Sequence, residues 1–498
     1  MTITATLLAP IAASYGQAQY ASWVGTSFLL ANITFTPLFG RLSDILGRRN
    51  ANALAIALFT SGTLACALAP NMWSFILFRF IAGSGGGGLS VTSAVITSDL
   101  FSLKQRGLVG GVQTGLWAVG GAVGGPLGGL ISDTLGWRAA FLVQVPLLVL
   151  ALISGLTHIT YHVPSSGDGT ATAREKLARI DFWGCGTLFL TFGSFLLSLS
   201  FRNNSNLPWS DPWVIATTAL APAFLLAFVV VEAKVAVEPI LPFRLIAKRT
   251  PLFGNLLTIF VAIANFGLMY SFPLFFLAVE GKTSREAGAH LLPNSVGHVT
   301  GGLLAGFVLY KTGLYRVPAS VVGILIFIGP VLISRLTPAS PAWLQWVAVL
   351  PQGIGQGYML NSGFVALQAN CARHEIPQIV GIQWLFRSTG QVVGVATTSA
   401  ILQGVLTAAL RARITGKHAA RLIDQIRSNT GVIGSLPEPV QALARESYAV
   451  AIVWVFRFVA LMAFLAWLSM VFIPQTAVDG HKHEPKPAEA TAAAQEEA

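Results

Sequence analysis

The chain is expected to fold as an all-α polytopic membrane protein, and three observations carry that expectation. Of its 498 residues, 54% are hydrophobic and 10% charged, with a mean hydropathy of +0.67; a soluble globular chain carries about 25% charged residues. Apolar runs recur from one end to the other, each near the roughly 20 residues that a span requires. The charges that remain gather in short islands between those runs. The net charge of +11 sits in the same islands, so membrane topology explains it better than nucleic-acid binding does.

In chain order, spans are expected near 21–40, 51–70, 72–96, 107–131, 138–158, 180–201 and 212–232. Six more are expected near 252–279, 286–310, 317–336, 341–364, 378–402 and 449–473. The opening segment Met1–Ala13 is apolar but too short to cross. It reads as the second half of a first helix that starts upstream, which makes fourteen. No basic stretch or cleavage site precedes it, so no cleavable signal peptide is expected. The cysteines, Cys66, Cys185 and Cys371, are far apart in or near apolar runs and suggest neither a disulfide framework nor a metal site.

Lys and Arg set the orientation. With the Gly40–Arg49 loop inside, the inner loops hold fifteen basic residues against eleven outside, six of these in segment 403–447. The spacing of Arg411, Arg413, Lys417, Arg421 and Arg427 predicts an amphipathic surface helix that ends at Pro437. The tail 474–498 is rich in Ala, Glu and Pro and is expected to be disordered and cytoplasmic. Asn203-Asn204-Ser205 is a sequon in a short outer loop. Gly306 and Gly313 repeat the seven-residue spacing of Gly40 and Gly47, a faint echo of a duplicated half.

The island Gly40-Arg41-Leu42-Ser43-Asp44-Ile45-Leu46-Gly47-Arg48-Arg49 separates the apolar runs Ser22–Phe39 and Ala51–Ala69. Its glycines allow close packing and a sharp reversal between two helices. Asp44 is costly at a helix end beside lipid, so it needs a fixed partner. Arg79 lies well inside an apolar run, a functional position by default. Gly83-Ser84-Gly85-Gly86-Gly87-Gly88 satisfies G-x-G-x-x-G, but it lies within an apolar helix and outside any βαβ unit, which excludes the dinucleotide reading. Gly83 instead permits helix crossing, as do Gly121, Gly125, Pro126 and Gly129 in the next glycine-rich span. In the second half His298, Asn265, Arg387 and Arg457 are intramembrane polar groups. A lone His is either a hydrogen-bonded packing residue or a proton relay, and its intrinsic pKa suits the latter.

The island resembles the signature loop of the major facilitator superfamily, G-x-L-x-D-x-x-G-R-[KR], at every defined position. Arg79 to Gly85 resembles that superfamily's fourth-helix motif, R-x-x-x-G-x-G, whose Arg faces the central cavity. Gly124 to Gly129 resembles the antiporter-associated G-P-x-x-G-G, with Gly125 in the slot of the Pro and Pro126 one position late. Ser22-Trp23, Pro37-Leu38-Phe39-Gly40, Ile96 to Leu100, Lys104-Gln105-Arg106-Gly107, Asp133 to Arg138 and Phe386-Arg387-Ser388 make the chain similar to fungal vacuolar basic amino acid transporters, in the fourteen-helix drug:proton antiporter branch.

The resemblance implies two six-helix bundles plus two extra helices. Residues 1–160 would form the first bundle, 161–251 the two linker spans with their loops, and 252–473 the second bundle with the outer loop 403–447. It implies a latch built from Gly40, Asp44, Gly47, Arg48, Arg49 and Asp99, with Arg48 near Asp99 and Asp44 facing the start of a second-half helix. It also implies a Leu-Asp pair just before the threonine-rich opening, upstream of Met1. The expected activity is proton-coupled antiport of basic amino acids into the vacuole by alternating access. Drug or toxin efflux at the plasma membrane and a non-transporting nutrient sensor or inactive relative are the alternatives. The expected partners are membrane lipid, protons and a small-molecule cargo, with the chain a monomer and with no cofactor, metal, nucleic acid or enzymatic constellation.

Overall fold

In hydrocarbon every backbone N–H and C=O must be satisfied within its own segment, so each apolar run is driven into a helix. The computed structural model describes residues 2–17, 20–160, 181–203, 207, 210–236, 239–372, 375–414, 419–428 and 430–476, and every regular element among them is helical. Most of the expected loop 159–179, Asn204 and Ser205 of the sequon, Lys417, and residues 477–498 of the expected tail lie outside the described residues.

The first group comprises α1 (Thr2–Tyr15), α2 (Ala21–Ile45), α3 (Arg48–Leu68), α4 (Met72–Leu100), α5 (Leu103–Leu135), α6 (Trp137–Leu142) and α7 (Gln144–His158). Then come α8 (Phe182–Asn203), α9 (Pro212–Lys234) and the short α10 (Phe243–Ile246). The second group comprises α11 (Arg249–Leu274), α12 (Ser284–Ala289), α13 (Leu292–Thr312), α14 (Arg316–Val322), α15 (Leu325–Ile333), α16 (Ala342–Val347), α17 (Leu350–Ala369), α18 (Ile376–Arg413), α19 (Ala419–Ser428) and α20 (Glu438–Phe472). The fold is that of two helical bundles with an inserted pair. In the first, α4 packs on α2 and α3; in the second, α13 packs on α17, and α11 on α18 and α20. The pair α8 and α9 pack on each other, with α8 against α2. The bundles meet where α2 crosses α18 and α5 crosses α13.

Ten spans among the described residues are long and apolar enough to cross a membrane, α6–α7 and α14–α15 each counting as one. Helices α2, α13 and α17 have the length but are more polar, with Asn32, Asn294, His298, Gln352, Gln356 and Asn361 along them. All three lie at the meeting of the bundles. Their polarity faces protein rather than lipid, which is where a membrane protein tolerates it.

The outer segment departs from expectation. Arg411 and Arg413 belong to α18, which continues to residue 413, and α20 starts at Glu438. The separate helix is only Ala419–Ser428. Leu406 and Leu410 of α18 and Ala444 and Tyr448 of α20 extend the apolar seam past the bilayer, and Ile423, Ile426 and Ile433 cap it. Tyr448 donates to the carbonyl of Ile426 at 2.9 Å, which pins the cap. At 38 residues α18 is about 57 Å long, far beyond the roughly 30 Å hydrocarbon core.

Candidate functional site

The Gly40–Arg49 island forms the turn between α2 and α3. Gly47 sits at φ +80°, a conformation that strains any other residue. From the first turn of α3, Arg48 reaches back: Nη1 donates to Asp44 Oδ1 at 2.7 Å and to the Ser43 carbonyl at 2.8 Å, and Nε donates to Asp99 Oδ2 of α4 at 2.9 Å. The side chains of Arg48 and Asp99 are each 7% exposed. The guanidinium thus ties the inner ends of three helices of one bundle, while Arg49 remains on the surface. The expected anchoring of Asp44 on the start of a second-half helix is not among its bonds; its Oδ1 is held by Arg48 of the same bundle.

Closure between the bundles at this inner end comes from elsewhere. Gly40 lies so close to α18 that a Cβ would stand 2.9 Å from the Pro377 carbonyl oxygen. On the other side α5 crosses α13 at Gly107–Gly306 and Gly111–Gly302, where a Cβ on Gly111 would meet the Gly302 carbonyl oxygen at 2.8 Å. Asn361 of α17 donates its side-chain amide to the carbonyls of Gly107 and Gly302, both at 2.8 Å, and so staples the crossing. Arg106 adds a bond from Nη1 to Gln368 Oε1 at 3.0 Å while donating to the carbonyls of Phe101 and Ser98. Toward the outer end α5 and α13 part. Gly115 still approaches Val299, but nothing comes within 4 Å of a Cβ on Gly120 or Gly121, and Val296 and Leu292 are exposed.

Above this seal lies a cavity of about 540 Å³ between the bundles, walled by α4, α5, α11, α13, α17 and α18. Its floor includes Asn361; its walls carry Gln113, Thr114, Thr258, Gln383 and the indoles of Trp117 and Trp384. Two groups that can carry positive charge line it, Arg387 and His298, and no lining residue is acidic. The Arg387 guanidinium lies 4.9 Å from the Trp384 ring centroid and 5.7 Å from that of Trp117. Attraction to the ring faces holds it in place, with no anionic partner among the described residues.

The structure sets two expected cavity residues apart. Arg79 lies eleven residues, about 16 Å of helix rise, from the wall residue Ser90. It is 6% exposed, with its guanidinium 4.3 Å from the Phe28 centroid and Nε donating to the Val24 carbonyl at 3.5 Å, so α2 shields it from the cavity. Asn265 faces along α11 and donates to Met269 Sδ at 3.8 Å. Packing by the glycine-rich span is also corrected in part. Gly83 does bring α4 onto α2, and Gly125 meets Thr6 of α1, but Gly121 and Gly129 meet nothing within 4 Å; Pro126 lies inside the continuous α5. The glycines that join α5 to α13 are Gly107, Gly111, Gly302 and Gly306, each pair at the four-residue spacing that marks close helix crossing, and Gly40 and Gly381 join α2 to α18. That spacing is legible in the sequence. Nothing local marks Asn361, Trp117, Gln383 or Trp384.

A model of the Major Facilitator Superfamily matches residues 1–395. The chain is 34% identical to the multidrug resistance protein fnx1 of Schizosaccharomyces pombe, covering 96% of this chain and 91% of that protein. It is 31% identical to the vacuolar membrane amino acid uptake transporter fnx2 of the same yeast, covering 95% and 81%. With vacuolar basic amino acid transporter 2 of Saccharomyces cerevisiae the identity is 30%, covering 86% and 92%. Among solved structures, the proton:xylose symporter XylE superposes with a TM-score of 0.59 at 16% identity, covering 96% of this chain and 93% of that one. The human organic anion transporter MFSD10 superposes with a TM-score of 0.56 at 13% identity, covering 92% and 88%. Both show the shared fold.

Proposed function

The chain belongs to the major facilitator superfamily, and we propose that it is a proton-coupled antiporter that moves basic amino acids into the fungal vacuole by alternating access. The observation that carries this reading is the cavity itself: it lies between two bundles, sets a few amides, hydroxyls, one Arg and one His in a mostly apolar wall, is sealed by helix crossings at one end and is flanked by splayed helices at the other. Rocking the bundles about such a site exposes it to one side at a time. With the Gly40–Arg49 loop on the cytoplasmic side, the described arrangement is closed to the cytoplasm. His298 is the lining group whose ordinary pKa lies near physiological pH, which makes it the candidate for proton coupling. The amino acid cargo and the vacuolar membrane come from the names of two relatives.

A second reading, multidrug efflux, draws on the name of the relative at 34% identity and on the aromatic wall formed by Trp117, Trp384 and Phe364. Uptake of labelled arginine into vesicles bearing the protein, with and without an inside-acidic pH gradient, separates the two. The first reading predicts gradient-dependent accumulation that collapses with a protonophore. Altered drug resistance of cells, with no vesicular arginine uptake, would overturn it in favour of the second.

A further inference from the structure

Arg387 is the one cavity-lining group with a permanent charge, and its guanidinium makes no hydrogen bond or ion pair with any described residue. The side chain is half-buried and lies beside two indole rings, one from each bundle, Trp117 on α5 and Trp384 on α18. Ring faces satisfy the charge of a guanidinium but leave its in-plane N–H donors unused. Those donors form a planar fork that matches a carboxylate in a two-bond geometry. The rest of the lining supplies amides and hydroxyls at Gln113, Thr114, Gln383 and Thr258, and no carboxylate. A cation without an anionic group would therefore meet Arg387 as a like charge in a mostly apolar cavity, with no acid among the lining residues to offset it. A zwitterion would meet it carboxylate first and leave its ammonium to neutral amides.

We propose that Arg387 is the receptor for the carboxylate of the cargo, and that the cavity takes carboxylate-bearing molecules and excludes organic cations that lack one. This rests on the reading of the chain as a transporter with its cargo in this cavity. The volume of about 540 Å³ lies in the range of small-molecule pockets. Because Trp117 and Trp384 belong to different bundles, a carboxylate that draws Arg387 off the Trp117 face also loosens a contact between them.

The test uses the purified full chain in lipid nanodiscs and reads ligand-induced thermal stabilisation. Alanine, arginine and succinate are compared with agmatine, which is arginine without its carboxylate, and with tetraphenylphosphonium. The proposal expects stabilisation by at least one carboxylate compound and by neither cation. It expects that affinity to fall about ten- to hundredfold in Arg387→Gln, and by less in Arg387→Lys, which keeps the charge without the fork. Agmatine acting as well as arginine would overturn it, as would unchanged carboxylate binding in Arg387→Gln or no stabilisation by any compound. If Arg387→Gln does not fold, the wild-type panel and Arg387→Lys decide. Stabilisation by alanine or succinate but not arginine would remove the basic amino acid reading and leave the proposal standing.

Discussion

Arg48 and Asp99, fifty-one positions apart in the chain, are joined by a 2.9 Å charge-assisted bond with both side chains 7% exposed. Asp44 holds the same guanidinium at 2.7 Å. Asp99→Asn removes one charge-assisted bond, a loss of about 1.5–3 kcal/mol, while Arg48 keeps Asp44. Arg48→Ala removes the guanidinium that both carboxylates share, a loss of about 3–5 kcal/mol. Thermal unfolding of the purified variants should therefore rank Arg48→Ala well below Asp99→Asn, with transport reduced in both. Equal stability for the two would mean that the triad carries no cooperative load.

The two glycine sets of α5 differ in what surrounds them. A Cβ at Gly111 meets the Gly302 carbonyl oxygen at 2.8 Å, whereas one at Gly121 meets nothing within 4 Å. Gly111→Val should force α5 off α13 and destabilise the inner-closed form by about 1–3 kcal/mol. Gly121→Val should leave it unchanged or slightly stabilised, since Gly costs helix stability. Reactivity of a cysteine placed at Leu360, on the cavity side of the seal, toward an inner membrane-impermeant reagent checks this. It should rise in Gly111→Val only.

Asn361 supplies two 2.8 Å bonds that hold α17 to both α5 and α13. Asn361→Asp replaces a donor pair with an acceptor that faces two carbonyl oxygens, so it should open the inner seal more than Asn361→Ala does. The same cysteine assay reads this order. The reverse order would show that the amide is not the staple.

His298→Gln keeps hydrogen-bonding capacity and removes titration. If His298 carries the coupling proton, the variant should still exchange cargo down its gradient but should not accumulate it when a pH gradient is imposed. Accumulation equal to wild type would move the coupling group elsewhere.

The pairing of Asp44 with Arg48 was legible because both lie within ten residues and the need of Asp44 for a cation follows from burial of a charge, whereas Asp99 stands fifty-one positions from Arg48 and no local pattern joins them. The cavity was legible only in part. Arg79 and Arg387 look alike in sequence, each an Arg inside an apolar run. Which of them faces the cavity depends on how α4 and α18 rotate against distant helices, and Phe28 turns out to cover one of them. The staple is a lone Asn whose partners lie 254 and 59 residues away, so no local pattern encodes it. The glycines at 107, 111, 302 and 306 have a readable spacing, yet the denser run at 120–129 gives the stronger signal and points to the part of α5 that is splayed from α13. The outer ends of α18 and α20 exceed the expected spans because their apolar seam continues beyond the bilayer, where span length no longer bounds a helix.

Alternating access requires the bundles to rock about the cavity, and paired distance measurements read that motion. Spin labels at Gln105 and Thr312 report the inner ends of α5 and α13, and labels at Asp133 and Leu292 report their outer ends. As conditions are changed by acidification or by cargo, reciprocal shifts are expected: the inner pair lengthens as the outer pair shortens. Distances that lengthen together, or an inner pair that never opens, would contradict alternating access.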